Sequence, residues 1–173
     1  ALMGMIGEDF FEQLFSAPAW VAFFLLVTAA ILTISERLGT RVKGTEQLLV
    51  WEAVLIGIAQ GVAIAPGISR SGATMAMGLL LGLRRPAAAR FSFLLSIPIV
   101  FGAGALQLIK VVLEPSAASV SLAPMLLGFV AAAISGYLCV RFLLSYLQRG
   151  KLYPFAIYCV AVGIFGLVLS AVR

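Results

Sequence analysis

The chain contains no histidine. That removes the commonest general base and metal ligand available near neutral pH. Charge is also scarce. Only 11% of the 173 residues are Asp, Glu, Lys or Arg, where a soluble domain carries about a quarter. Too few polar side chains remain to cover a water-facing surface, so lipid must be the solvent for much of the chain. There are two cysteines, Cys139 and Cys159, each inside an apolar run. Neither has a CxxC spacing or a partner histidine, so both read as packed membrane-helix residues rather than a disulfide or a metal site. No low-complexity tract or Ser/Pro-rich linker divides the chain, and its length suits one membrane domain over residues 1–173.

Hydrophobic residues make up 62% of the sequence. A membrane span needs about 20 mostly apolar residues. Four stretches meet or approach that length: Ala19 to Ile34, Ala87 to Leu113, Leu122 to Leu147 and Tyr153 to Val172. Pro18, Pro86, Pro124 and Pro154 stand at or near the starts, where proline is tolerated, and Pro98 predicts a kink within the second span. Small residues recur, as in Gly102-Ala103-Gly104-Ala105 and Ala131-Ala132-Ala133, which suits close helix packing in a bilayer. Residues Ala1 to Ile6 are apolar and stop at Gly7-Glu8-Asp9 without the basic start of a signal peptide. They read as the tail of a helix that begins earlier.

A different pattern separates the first two spans. Leu48 to Ala65 is apolar and breaks at Pro66-Gly67, and the piece that follows, Ala73 to Leu83, is too short to cross. The pair is either a re-entrant hairpin, about residues 48–83, or one broken span. Charge decides between them, because cytoplasmic loops carry an excess of Lys and Arg. A re-entrant hairpin places Arg37, Arg41, Lys43, Arg84, Arg85, Arg90, Arg141, Arg149 and Lys151 on one side, nine of the twelve basic residues. The other side receives Glu8, Asp9, Glu12 and Glu114, with Lys110 and Arg173, and Ser116 to Ser121 reads as a short loop there. A crossing pair would scatter the basic clusters. The net charge of +5 is therefore explained by topology and not by a nucleic-acid partner. The predicted fold is an all-α polytopic membrane protein with about four transmembrane helices and one re-entrant helical hairpin.

Arg70 is then left at the hairpin tip, at membrane depth, within Pro66-Gly67-Ile68-Ser69-Arg70-Ser71-Gly72-Ala73-Thr74. An intramembrane arginine is costly and normally paired or functional. Irregular backbone at that depth requires surrounding protein or a water-filled cavity. A helix starting near Ala73 presents free N–H groups that favour anions. Ser69, Ser71 and Thr74 add hydroxyls, Arg70 a planar fork suited to phosphate oxygens, and Gly67 and Gly72 permit close backbone approach. These features describe a phosphate-sized anion site. The alternative is that the hydroxyls only cap helix ends and Arg70 pairs with a neighbouring acid. Gln60, on the helix leading to the turn, either lines the cavity or makes an interhelical contact. Glu52, near the foot of that helix, reads as solvated at the interface, and Ser92 and Ser96 as packing residues.

Gln60-Gly61 followed by Pro66 to Thr74 resembles the second signature of the bacterial undecaprenyl-diphosphate phosphatases, the bacitracin-resistance family. Ala89-Arg90-Phe91-Ser92-Phe93-Leu94-Leu95-Ser96-Ile97-Pro98 and Tyr153-Pro154-Phe155-Ala156-Ile157-Tyr158 are similar to that family as well. The resemblance covers essentially the whole chain, as the C-terminal two-thirds of a longer protein. It implies half of an inverted-repeat architecture in the bacterial cytoplasmic (inner) membrane, with the site open to the outer side. It implies hydrolysis of undecaprenyl diphosphate to undecaprenyl phosphate and inorganic phosphate, which recycles the lipid carrier of cell-wall synthesis. Arg70 and Ser71 are the implied catalytic residues, and Ser69, Arg70, Ser71, Gly72 and Thr74 the implied phosphate ligands. Mg²⁺ or Ca²⁺ is the implied cofactor, although no metal ligands are recognised in this chain. The family's other signature, with paired glutamates, a serine and a histidine, has no match here. The expectation is that this first hairpin is absent from the chain; completion of the site by a homodimer is the alternative. The competing function is a transporter or flippase for a polyprenyl phosphate or another anion, which needs no nucleophile.

Overall fold

The structure, a computed structural model, describes residues 18–113 and 122–172. Six α-helices account for nearly all of it: α1 Pro18–Leu38, α2 Val50–Val62, α3 Arg70–Leu80, α4 Arg85–Leu113, α5 Leu122–Leu147 and α6 Tyr153–Val172. One 3₁₀ turn, Thr45–Gln47, precedes α2. Helices α1, α4, α5 and α6 carry runs long and apolar enough to cross a membrane, and their bounds match the predicted spans to within a few residues. Pro98 lies inside α4, which continues through it. Glu8, Asp9, Glu12, Glu114 and Arg173, the start of the chain and the Ser116–Ser121 loop lie outside the described residues, as does the side chain of Lys110.

Helices α2 and α3 form the predicted hairpin. At 13 and 11 residues and 1.5 Å per residue they are about 20 Å and about 16 Å long. Neither crosses a hydrocarbon layer of about 30 Å alone. Their feet are tied together. The Val42 and Lys43 amides both donate to the Gly82 carbonyl at 2.9 Å, and the Arg84 amide donates to the Lys43 carbonyl at 2.9 Å. Gly82 has φ +91° with the Thr40 hydroxyl close to where a Cβ would project, so a left-handed residue without a side chain closes the loop. The chain therefore leaves the hairpin beside the point at which it entered.

The core of the bundle runs through α3, whose Met75, Ala76 and Leu79 are buried between α1, α2 and α4. Helix α6 packs along α1 through Gly163, where an added Cβ would lie 2.8 Å from Leu26 and 3.0 Å from the Ala22 carbonyl oxygen. Here, and not at the predicted small-residue runs, a glycine lets two helices approach closely. Gly102, Gly104, Gly128 and Gly136 have nothing near them, and Ala131 to Ala133 are exposed. Helix α5 joins the core only near its C-terminal end, through Leu143, Leu144, Tyr146 and Leu147. Cys139 consequently faces outward, contrary to the packed position expected for it, whereas Cys159 is buried. Both thiols are free.

The basic residues that bracket the hairpin gather at one end of the bundle around two buried acids. Glu36, 2% exposed, accepts from Arg85 Nε at 3.0 and 3.2 Å and from Arg85 Nη2, lies 3.6 Å from Arg41 Nη2, and accepts from the Leu152 amide at 3.3 Å. One carboxylate thus fastens α1 to the starts of α4 and α6. Glu52 is not solvated as expected but buried. Its Oε1 is 2.7 Å from Lys43 Nζ and its Oε2 accepts from the Leu49 amide at 3.0 Å, which caps α2. The hydrogen bond from Lys43, with that from Leu49, holds the Glu52 carboxyl below the usual glutamate range.

Candidate functional site

The hairpin tip spans Ala63 to Ser69 and is held against the middle of α1. Thr28 sits ten residues from either end of Pro18–Leu38. Its Oγ1 donates to the Gly67 carbonyl at 3.0 Å and accepts from the Ser69 amide at 3.1 Å. Two backbone groups that no helix can use are thereby satisfied halfway along α1, a helix long and apolar enough to cross a membrane. Gly67 has φ +92°, and a Cβ there would collide with the Val21 carbonyl oxygen and press on Phe24. Only glycine lets the tip lie this close to α1.

Ser69 ends the tip and caps α3. Its backbone is extended, and its Oγ accepts from the Gly72 amide at 3.1 Å. The Ser71 hydroxyl, in the first turn of α3, lies 3.4 Å from the Ser69 hydroxyl. Gly72 is buried beneath both, and a Cβ there would press on Ser69 Cβ and Oγ at 2.9 and 3.0 Å. Thr28, Ser69, Ser71 and Gly72 form one wall of a cavity of about 310 Å³. Its remaining walls are apolar, from Leu25 and Leu32 of α1, Leu143 of α5, and Phe155, Tyr158 and Cys159 of α6. A polar rim at a helix N-terminus thus faces an oily chamber, which suits an amphiphile with an anionic head.

Three of the expected site residues, Thr74, Gln60 and Arg70, stand outside the cavity lining. Thr74 is 1% exposed and turns inward. Its Oγ1 donates within the helix, toward the Arg70 and Ser71 carbonyls, and meets the Ser92 hydroxyl of α4 in a short contact. It joins α3 to α4 and presents nothing to a ligand, because it lies one turn into α3, below the exposed first turn and against Ser92 of α4. Gln60 is 6% exposed, does not line the cavity, and forms no side-chain hydrogen bond with a described residue. Arg70, the first residue of α3, is exposed and makes no ion pair or side-chain hydrogen bond with a described residue. Its charge stands beside the two serine hydroxyls in the chain, outside the set that lines the cavity. Thr28, in contrast, escaped the sequence reading; a hydroxyl in the apolar run Ala19 to Ile34 was the available signal. Glu36 escaped it too, hidden among basic neighbours.

The described residues contain no group of three or more His, Cys, Asp or Glu that could hold a metal. Glu36 and Glu52 are committed to Arg85 and Lys43. The described residues therefore do not fit the divalent cation that the resemblance implies. The cavity offers the Ser69 and Ser71 hydroxyls to an anion, with no imidazole or carboxylate among its lining residues.

The family model "Bacitracin resistance protein BacA" matches residues 1–165. An undecaprenyl-diphosphatase of Halothermothrix orenii is 44% identical over 171 residues, covering 99% of this chain and 66% of the relative. One from Methanosphaera stadtmanae is also 44% identical, over 99% of this chain and 60% of the relative. The chain thus spans less than two-thirds of these relatives. One from Methanothermobacter thermautotrophicus is 49% identical over 175 residues, covering 98% of this chain and 93% of the relative. With a family match over nearly its whole length and relatives of this identity, the chain belongs to the bacitracin resistance protein BacA family.

Proposed function

We propose that this protein hydrolyses undecaprenyl diphosphate to undecaprenyl phosphate and inorganic phosphate. The observation that carries the reading is the hairpin tip, which sets the Ser69 and Ser71 hydroxyls on the rim of a mostly apolar cavity halfway along α1. Relatives at 44 to 49% identity bear the name undecaprenyl-diphosphatase, which points to the same substrate. The terminal phosphate lies at the Ser69–Ser71 rim and the N-terminus of α3. The first isoprene units lie against Leu143, Phe155 and Tyr158. Arg70 swings onto the phosphate oxygens as a bidentate donor, which its exposure and lack of a described partner permit. In the reaction the bond from the terminal phosphorus to the bridging oxygen breaks. Water supplies the new oxygen of the released phosphate, and the bridging oxygen stays on the lipid. Positive charge and fixed donors at the phosphoryl oxygens are what such a transition state requires.

The protein sits in the cytoplasmic membrane with its basic end inward. Because the hairpin enters and leaves at that end, the tip points away from it and the phosphate site opens outward. The test is phosphate release from undecaprenyl diphosphate in detergent by the full-length protein, with Arg70→Lys and Ser71→Ala. Arg70→Lys keeps the charge but not the fork and is expected to lower kcat/KM by at least about tenfold, the loss of one charge-assisted hydrogen bond. Unchanged turnover in Arg70→Lys would refute the bidentate role. Movement of the lipid across vesicles without phosphate release would replace hydrolysis with transport.

A further inference from the structure

A second cavity, of about 270 Å³, opens at the basic end, away from the hairpin tip. It is roomy enough for a small polar head group. Gly44, Thr45 and Glu46, before α2, and Arg84, Pro86, Ala87 and Arg90, at the start of α4, line it. The cations here differ from their neighbours. Arg41 and Arg85 are held by Glu36, and Lys43 by Glu52. Arg84 and Arg90 are exposed and make no ion pair or side-chain hydrogen bond with a described residue. They converge on one cavity from positions six residues apart. Glu46 is the only acid lining it, and its Oε2 has only a long, 3.5 Å contact with the Thr45 hydroxyl.

We propose that this cavity binds the head group of an anionic phospholipid whose phosphodiester is followed by free hydroxyls, as in a phosphoglycerol lipid. Two guanidinium groups and one carboxylate give the cavity a net charge of +1, which one phosphodiester neutralises. Arg84 and Arg90 take the phosphate oxygens, and Glu46, which can only accept, takes a hydroxyl of the head group. The cavity lies at the end that gathers nine of the twelve basic residues, the end that meets the anionic cytoplasmic leaflet, where basic pockets between helices take lipid heads. A bound head group would join the incoming foot of the hairpin, at Gly44 to Glu46, to the start of α4. The inference does not rest on the phosphatase reading.

The experiment is native mass spectrometry of the full-length protein released from micelles holding equimolar phosphatidylglycerol, phosphatidylethanolamine and phosphatidylmethanol. The last has the same phosphodiester and no free hydroxyl. The wild type is expected to retain phosphatidylglycerol. Arg84→Gln with Arg90→Gln is expected to lose it by about tenfold or more, while the control Arg149→Gln with Lys151→Gln keeps it. Glu46→Gln is expected to retain lipid phosphate but to prefer phosphatidylglycerol over phosphatidylmethanol less, a result that does not depend on the double variant folding. Equal retention of phosphatidylethanolamine would overturn the charge match. Unchanged binding in the double variant would overturn the site. Complete displacement of the lipid by millimolar inorganic phosphate would overturn the lipid as occupant in favour of a free anion.

Discussion

Replacing Thr28 by valine keeps the shape of a 2%-exposed side chain and deletes the one hydroxyl that ties the hairpin tip to α1. Two backbone groups lose their partner: the Gly67 carbonyl, 3.0 Å away, and the Ser69 amide, 3.1 Å away. Interhelical hydrogen bonds in bilayers average about 0.6 kcal/mol each, so the lower bound is about 1.2 kcal/mol. Leaving a buried group unpaired costs about 1–3 kcal/mol, so two set an upper bound of about 6 kcal/mol. We expect a loss of about 2–4 kcal/mol, because no described neighbour can replace the hydroxyl. The Ser69 amide is also the entry to α3, so the Ser69 and Ser71 hydroxyls lose their fixed position. Turnover should therefore fall together with stability. Thr28→Ser is the control. It keeps the oxygen and loses only a methyl group, a cost of about 0.8 kcal/mol. Thermal unfolding in detergent and phosphate release are measured on the same preparations. If the valine variant matched the wild type in both, or the serine variant were as damaged as the valine variant, the pinning role of the hydroxyl would be refuted.

Gly67→Ala should be as damaging as Thr28→Val or worse, since it combines an unfavourable φ with a collision against the Val21 carbonyl; a protein that purifies with wild-type thermal stability would contradict the close approach. Glu36→Gln leaves Arg85 and Arg41 without their counter-charge at the buried Glu36 site and should cost up to about 3–5 kcal/mol, read by thermal unfolding; Glu36→Leu combined with Arg85→Met should recover much of it. The depressed Glu52 carboxyl adds stability that is full above the usual glutamate range and disappears as pH falls through its lowered value. Glu52→Gln should therefore flatten the acid limb of the melting-temperature profile, and an unaltered acid limb would exclude the Lys43–Glu52 pair as its source.

Hydrophobic run length determined the four long helices, because a bilayer requires about 20 apolar residues whatever the neighbours are. The two short apolar pieces and the distribution of arginines determined the hairpin, because neither piece is long enough to cross and basic loops collect on one side of a membrane. The start of α3 was legible only roughly: the sequence placed it near Ala73 and offered capping as the alternative role of the hydroxyls, whereas the helix begins at Arg70 with Ser69 as its cap. What the sequence could not decide was which face of each helix meets protein. Thr74 and Ser71 are both hydroxyls in one motif, yet helical rotation buries the first against Ser92 and leaves the second exposed. Glu52 looked solvated from its place near a helix end, and only the folding back of Lys43 onto it made burial tolerable. Thr28 lies 39 residues from the carbonyl it holds, and Leu152 lies 116 residues from Glu36. Such pairs depend on how helices cross, a property of packed side chains that no local pattern encodes.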